Sequence, residues 1–258
     1  MEPNKLSQIL ISVIVPVYND ELFIKETLLS ITNQTHKNIE IIVVNDCSTD
    51  NSLTIINSLK IPNLILLSNK MRKGAAYSRN LGIRNAHGEY IAFLDGDDLW
   101  KQTKLEEQLK FMDENKYGFS STFYSLIDED GKSLNKTINS PKLITHRRFL
   151  QACYIGCLTA MYKRSIYPDL QIPETIKKRN DYALWLKLSE KTHCYAYPKV
   201  LAYYRKRTNS ISSGRKSDLF KYHVFLYKEL YKYSSLKAFL LSLRNVFYYF
   251  YKNLIFKK

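Results

Sequence analysis

Short β-branched apolar runs alternate with helix-patterned segments across residues 11–94, and this alternation constrains the fold more than any other feature of the chain. Ile11 to Val17, Ile39 to Val44, Leu64 to Leu67 and Tyr90 to Leu94 have strand length. Between them, Glu21 to Thr32 carries Leu22, Ile24, Leu28, Leu29 and Ile31 near helical spacing, and helical patterns follow at Ser52 to Leu59 and Ala75 to Ala86. Strand and helix in turn predict a parallel α/β sheet with right-handed crossovers. Each run ends in a polar loop: Tyr18-Asn19-Asp20-Glu21, Asn45 to Asp50, Ser68-Asn69-Lys70, and Asp95-Gly96-Asp97-Asp98. Ligands of such sheets bind at the carboxyl edge, so these loops share the edge where chemistry is expected.

Beyond residue 100 the pattern predicts a helix from Leu105 to Met112, strand-like runs at Phe119 to Ile127, Leu158 to Tyr162 and Tyr195 to Tyr204, and a helix around Tyr182 to Leu188. Asp128-Glu129-Asp130-Gly131-Lys132 reads as a hairpin turn and nothing more. At 258 residues and 45% hydrophobic, the chain can build one large domain or two small ones. Cys47, Cys153, Cys157 and Cys194 form no C-x-x-C pair, which disfavours a zinc site or disulfide framework and favours a reducing compartment. The amino terminus lacks the charged start and small-residue cleavage site of a signal peptide.

The carboxylates Asp95, Asp97 and Asp98 repel one another and call for water or a cation. Alternate residues of an extended segment face the same way. Asp95 and Asp97 can therefore offer hard oxygens to magnesium or manganese bound together with a diphosphate. The alternative is a helix start near Trp100 capped by Asp97 or Asp98. Asp46 opens the turn after its strand and can accept a ring N–H from a base such as uracil; local turn bonding, with Ser48 or Asp50 capping the next helix, accounts for its neighbours. Lys73-Gly74-Ala75 starts a helix, a place that favours anions, and Arg79 inside it can reach a diphosphate or pair with a carboxylate. No Walker sequence or G-x-G-x-x-G is present, so nucleoside triphosphatase and dinucleotide-binding readings lack their markers. Asn180-Asp181 opens an apolar helical segment, as an N-cap or as a general base at Asp181.

Taken in order, Val15-Pro16-Val17-Tyr18-Asn19, Val44 to Asp50, Gly74-Ala75-Ala76 leading to Arg79-Asn80, Phe93 to Asp98, Asn180-Asp181-Tyr182 with Trp185, and Tyr204-Arg205 with Ser210-Ile211-Ser212 resemble family 2 glycosyltransferases over residues 10–213. The resemblance implies a GT-A fold: a Rossmann-like, mostly parallel central sheet flanked by helices. Its nucleotide-sugar half would span about residues 1–100 and its acceptor half about 101–215; residues 216–258 read separately, from their own spacing, as a C-terminal helical extension. It implies an inverting transfer from a nucleotide sugar, UDP-hexose or UDP-N-acetylhexosamine, to a glycan or lipid-linked glycan in bacterial surface polysaccharide or lipooligosaccharide synthesis. Pro16, Val17 and Tyr18 would line the base and ribose pocket, Asp46 would accept from uracil, and Arg79 would lie near the base or diphosphate. Asp97 would bind Mn2+ or Mg2+ directly, with Asp95 contacting ribose or supporting the cation, and Asp181 would be the catalytic base. Two positions depart from the family pattern: Asn180 stands where an acidic residue often precedes the base, and Arg207 where many members carry a histidine that reaches the metal. An arginine cannot ligate a cation but can clamp a diphosphate.

The net charge of +15 is concentrated near the end, where residues 205–258 hold thirteen Lys or Arg against Asp218 and Glu229. In that tail Leu236, Phe239, Leu240, Leu243, Val246, Phe247, Phe250, Tyr251 and Leu254 follow helical spacing, with Lys237, Arg244 and Lys252 to the other side. No uncharged run approaches the ~20 residues that span a bilayer. The tail reads as a helix lying on an anionic membrane surface, the cytoplasmic inner face. The alternative packs its stripe on the catalytic domain or on a second subunit of a homodimer. Two other classes are weighed: a basic nucleic-acid-binding module, which the segregation of aromatics from cations disfavours, and a catalytically inactive relative, to which Asn180 and Arg207 lend slight support.

Overall fold

The computed structural model describes residues 5–208 and 216–255. Ser210-Ile211-Ser212, and the side chains of Phe250, Tyr251, Lys252 and Leu254, lie outside the described residues.

The anticipated strands form β1 (Ile11–Val17), β2 (Ile39–Asn45), β3 (Leu64–Ser68) and β4 (Tyr90–Phe93), side by side as β3-β2-β1-β4 and all parallel. β2 and β4 are buried at every residue, and β1 at all but Pro16. Burial on both faces is why they read as nearly continuous apolar runs rather than alternating ones. The crossovers are α1 (Ile24–Thr32), α2 (Ser52–Ser58) and α3 (Ala75–Arg84). Ile11, Val13 and Val15 pack with Ile24, Leu28 and Ile31 of α1, while Ile14 packs with Ala76 and Ile83 of α3 on the opposite face. Gly82 lets α3 lie directly on the sheet, since a Cβ there would stand 2.5 Å from Ile14 Cγ2. Of the α1 pattern, Leu22 and Leu29 stay exposed, at 78% and 40%.

The second half extends the same sheet through β5 (Leu99–Trp100), α4 (Lys104–Asn115), β6 (Phe119–Ile127), β7 (Ser133–Ile138), β8 (Leu143–Ile144), α5 (His146–Phe149), β9 (Met161–Lys163), α6 (Asn180–Ser189) and β10 (Cys194–Arg205). β9 inserts antiparallel between β4 and β6, and β10 runs parallel to β6. Trp185 of α6 sits fully buried beside Phe93 and Phe119, so α6 is anchored to the floor of both halves.

Three expectations change. The helix start that the alternative reading put near Trp100 lies at Lys104, beside the expected Leu105, because Leu99 and Trp100 pair with Tyr203 and Ala202 instead. Asp97 and Asp98 therefore cap nothing; Thr103 holds the N-cap position. The Leu158 to Tyr162 run divides into a short 3-10 turn at Cys157–Thr159 and β9. The 128–132 turn does more than reverse the chain, since the Asp128 and Glu129 carbonyls accept from Arg205 Nη1 and the Glu129 carboxylate accepts from Thr208.

The C-terminal segment is a hairpin of α7 (Lys216–Tyr231) and α8 (Ser235–Ile255). Leu226, Tyr227, Leu230 and Ala238 join the core that contains Tyr182 and Trp185. Asn245 Nδ2 donates to Tyr182 Oη (2.9 Å) and Tyr227 Oη (3.3 Å), and Tyr227 Oη donates to the Leu150 carbonyl. Buried hydroxyls and an amide thus pin the hairpin to α6.

Candidate active site

The carboxyl ends of β1, β2 and β4, the start of α6 and the end of β10 converge. Asp95, Asp97 and Asp98 follow β4 as a short turn, closed by Asp98 N donating to the Asp95 carbonyl at 3.1 Å. Asp98 is 1% exposed, and its Oδ1 accepts from Arg205 N at 2.9 Å. Burial, then Asp97 and Asp95, hold its carboxyl well above the usual carboxylate range. Burial, then Asp95, also raise Asp97, and Arg207 offsets part of this.

Arg207 Nη1 donates to Asp97 Oδ2 (3.1 Å) and to Asp20 Oδ1 (2.7 Å), and its guanidinium lies 5.0 Å over the Phe23 ring. Asp20 is 8% exposed, and burial, then Asp97, push its carboxyl up to about 6 despite Arg207. Gly96 is required here, since a Cβ would stand 2.7 Å from Asp20 Oδ2. Asp20 escapes the sequence reading because Tyr18-Asn19-Asp20-Glu21 looks like any polar loop; its place at the carboxyl edge of β1 was the available signal.

Arg79 is 5% exposed and donates from Nη2 to Asp95 Oδ1 and from Nη1 to Asn180 Oδ1. Burial alone would lower its pKa, but Asp95, Cys157 and Asp181 outweigh this and raise it. One buried guanidinium therefore ties the aspartate turn after β4 to the first turn of α6. Asp181 follows Asn180 there, half-buried, and its charge also reaches Tyr124 and Cys157. In the position where an acidic neighbour was expected, Asn180 supplies a neutral acceptor to Arg79.

Asp46 is 4% exposed and uses both oxygens on the loop before α3: Oδ1 accepts from Asn69 Nδ2 and Lys73 N, each at 2.8 Å, and Oδ2 from Gly74 N at 2.7 Å. Asp46 thus places its own negative charge beside this helix start. Gly74 meets it at φ 95°, a conformation that favours glycine. Tyr18 is half-buried, with the Arg72 guanidinium 3.9 Å over its ring; Arg72 is a further residue that sequence reasoning missed. Pro16 is half-buried, whereas the Val17 side chain, 1% exposed, lies in the core.

Arg205 is a strut rather than a ligand-facing group. At 2% exposure it donates to the Asp97, Asp128 and Glu129 carbonyls and to Glu26 Oε2 (2.6 Å). It thereby fixes the aspartate turn against α1 and the β6–β7 hairpin. Among the described residues no three His, Cys, Asp or Glu side chains are grouped to hold a metal by themselves.

Comparison with known proteins agrees with this architecture. Residues 12–170 match the family described as glycosyl transferase family 2. The chain is 41% identical over 232 residues to the putative teichuronic acid biosynthesis glycosyltransferase TuaG of Bacillus subtilis, covering 89% of this chain and 91% of that protein. It is 37% identical over 213 residues to the UDP-Glc:alpha-D-GlcNAc-diphosphoundecaprenol beta-1,3-glucosyltransferase WfaP of Escherichia coli, covering 82% and 83%. The fold superposes on S. aureus TarS 1-349, solved with UDP-GlcNAc, with a TM-score of 0.72 at 23% identity, covering 92% of this chain and 71% of that one. It also superposes on the mannosyltransferase PcManGT of Pyrobaculum calidifontis, solved with GDP-Man and Mn2+, with a TM-score of 0.61 at 20% identity over 92% and 74% of the chains. The alternating strands, the aspartate turn and these likenesses lead to one conclusion: the chain is a glycosyltransferase of family 2 with a GT-A fold.

Proposed function

We propose that the protein transfers a hexose or N-acetylhexosamine from a UDP-sugar to a lipid-linked glycan by single displacement with inversion, in bacterial surface polysaccharide synthesis at the cytoplasmic face of the membrane. The observation that carries this reading is the Arg79 bridge, which joins Asp95 on the donor side to Asn180, the neighbour of Asp181, on the acceptor side. The names of relatives support the substrate classes: WfaP uses UDP-Glc and a diphosphoundecaprenol-linked acceptor.

The residues fit a hard divalent cation that arrives with its diphosphate. Burial and mutual repulsion raise Asp97 and Asp98, the sign of a carboxylate cluster short of positive charge. A pair of carboxylates without a full protein cage suits an ion whose other ligands are phosphate oxygens and water. Asp97, with Asp95 beside it, would hold Mn2+ or Mg2+, which when bound neutralises charge gathering on the leaving diphosphate. Arg207, already at Asp97, is placed to share that charge by donating to phosphate oxygens. Pro16, the Val17 main chain and Tyr18 would face base and ribose, with Asp46 holding the loop that closes that pocket. Asp181 takes the acceptor hydroxyl proton as its oxygen attacks the anomeric carbon from the face opposite the departing UDP. Arg79 holds Asp95 and fixes Asn180, so the base is presented from a rigid first turn.

Asp181→Asn tests the assignment. Stabilisation by UDP-sugar with manganese should persist while transfer to a diphosphoundecaprenol-linked sugar falls by about a hundredfold or more. Near-normal transfer would remove Asp181 from the base role.

A further inference from the structure

Helix α8 leaves a row of large apolar side chains exposed. Its inward arc is mixed, with Ala238, Ser242 and Asn245 at 0–2% exposure and Leu241 and Tyr248 packed on the same core. Its outward arc carries Leu236 (70%), Phe239 (44%), Leu240 (56%), Leu243 (48%) and Phe247 (68%). At helical spacing these five form one stripe about 100° wide, a contiguous apolar face of the kind that marks an interaction surface. Beside the stripe runs a shallow groove of about 370 Å³ lined by Ser234, Leu236, Lys237, Leu240, Leu241 and Arg244. Two cations thus stand over an apolar floor. Among the described residues the Arg244 guanidinium is held by one bond, Nη2 to the Leu150 carbonyl at 3.3 Å, and its buried Nε has no hydrogen-bond partner.

We propose that this face docks the enzyme on an anionic lipid leaflet, the stripe entering the headgroup boundary and the groove seating a lipid phosphate between Lys237 and Arg244. Charge selects this occupant. Lys221, Lys228, Lys232 and Lys237 are exposed on the hairpin against Glu229 alone among its described side chains. A second copy of the hairpin would meet these cations with cations, whereas an anionic surface neutralises them. No helix among the described residues is long and apolar enough to cross a membrane, so the helix lies on the surface rather than through it. The proposal deepens the lipid-linked-acceptor reading by naming the face that brings the enzyme to its acceptor.

The test is cosedimentation of the full chain with phosphatidylcholine vesicles, with and without phosphatidylglycerol, alongside UDP-dependent thermal stabilisation of the same samples. Binding should require phosphatidylglycerol. Leu240→Glu with Phe247→Glu, both exposed positions, should abolish it. Lys237→Gln with Arg244→Gln should weaken it about thirtyfold, near fivefold per cation. Should the Arg244 change unfold the protein, Lys237→Gln alone serves, with a fivefold loss expected. Folded wild type that ignores anionic vesicles, or binds neutral ones equally, overturns the proposal. So does protection by inorganic phosphate without vesicle binding, or a dimer that Leu240→Glu with Phe247→Glu dissolves and no vesicle competes with. The UDP response is read independently, so failure of the docking face and failure of the donor site are told apart.

Discussion

Replacing Asp97 with asparagine should make the ligand-free protein more stable while destroying its metal-dependent nucleotide binding. Asp20 shows why. Its carboxyl rises from the ordinary 3.8 to about 6, a difference worth about 3 kcal/mol. A raised native pKa means that the native state binds more protons than the unfolded chain between those values, so stability falls as pH climbs through about 4 to 6 and stays low above. Burial is the largest cause and Asp97 the second; removing the Asp97 charge should therefore return about 1 kcal/mol through Asp20. Asp97 adds its own desolvation and its repulsion with Asp95. Against this stands the lost Arg207–Asp97 pair, whose side chains are 26% and 23% exposed, worth about 0.5–1 kcal/mol after solvent screening. Arg207 also keeps its 2.7 Å partner, Asp20.

The net expectation is a gain of about 1–2 kcal/mol at pH 7.5, or about 2–6 °C in Tm for a chain of this size. Thermal melts in chelator at pH 7.5 and pH 5.0 check it. At pH 5.0 Asp20 is mostly protonated in the native state, so the gap between variant and wild type should shrink. Manganese with UDP should raise the Tm of the wild type but not of Asp97→Asn. A variant that melts lower than wild type at pH 7.5, or a gap unchanged by pH, would refute the reasoning and make the Arg207 pair a net structural bond.

Two further outcomes follow from packing. Gly96→Ala puts a Cβ 2.7 Å from Asp20 Oδ2; it should cost about 1–3 kcal/mol and blunt the UDP-induced Tm shift, read in the same melts. Asn245→Ala removes the donor shared by the Tyr182 and Tyr227 hydroxyls and should cost about 1–3 kcal/mol, with amides of α7 and α8 losing hydrogen-exchange protection together; unchanged protection would show that the network does not hold the hairpin.

What the sequence reveals and what it hides divide along the range of the interactions. Strand β1 is legible to the residue because local burial writes it: a strand covered on both faces needs a nearly continuous apolar run. The aspartate turn was equally plain, but its local context suggested a helix cap. Asp98 instead accepts from Arg205 N, 107 positions away, and β10 draws Leu99 and Trp100 into the sheet. No window of neighbouring residues contains that bond. The same holds for Arg79, whose partners Asp95 and Asn180 lie 16 and 101 positions off, and for Asp20, whose role depends on Arg207, 187 positions away. In α8 the limit is sharper. Periodicity finds the apolar stripe but cannot say which arc meets the core. The usual rule buries the stripe, yet here a mixed arc turns inward, in which the Tyr182 and Tyr227 hydroxyls, 63 and 18 positions away, give the buried Asn245 its partners. An outward face produced in that way needs its own occupant, and the surrounding cations favour an anionic leaflet.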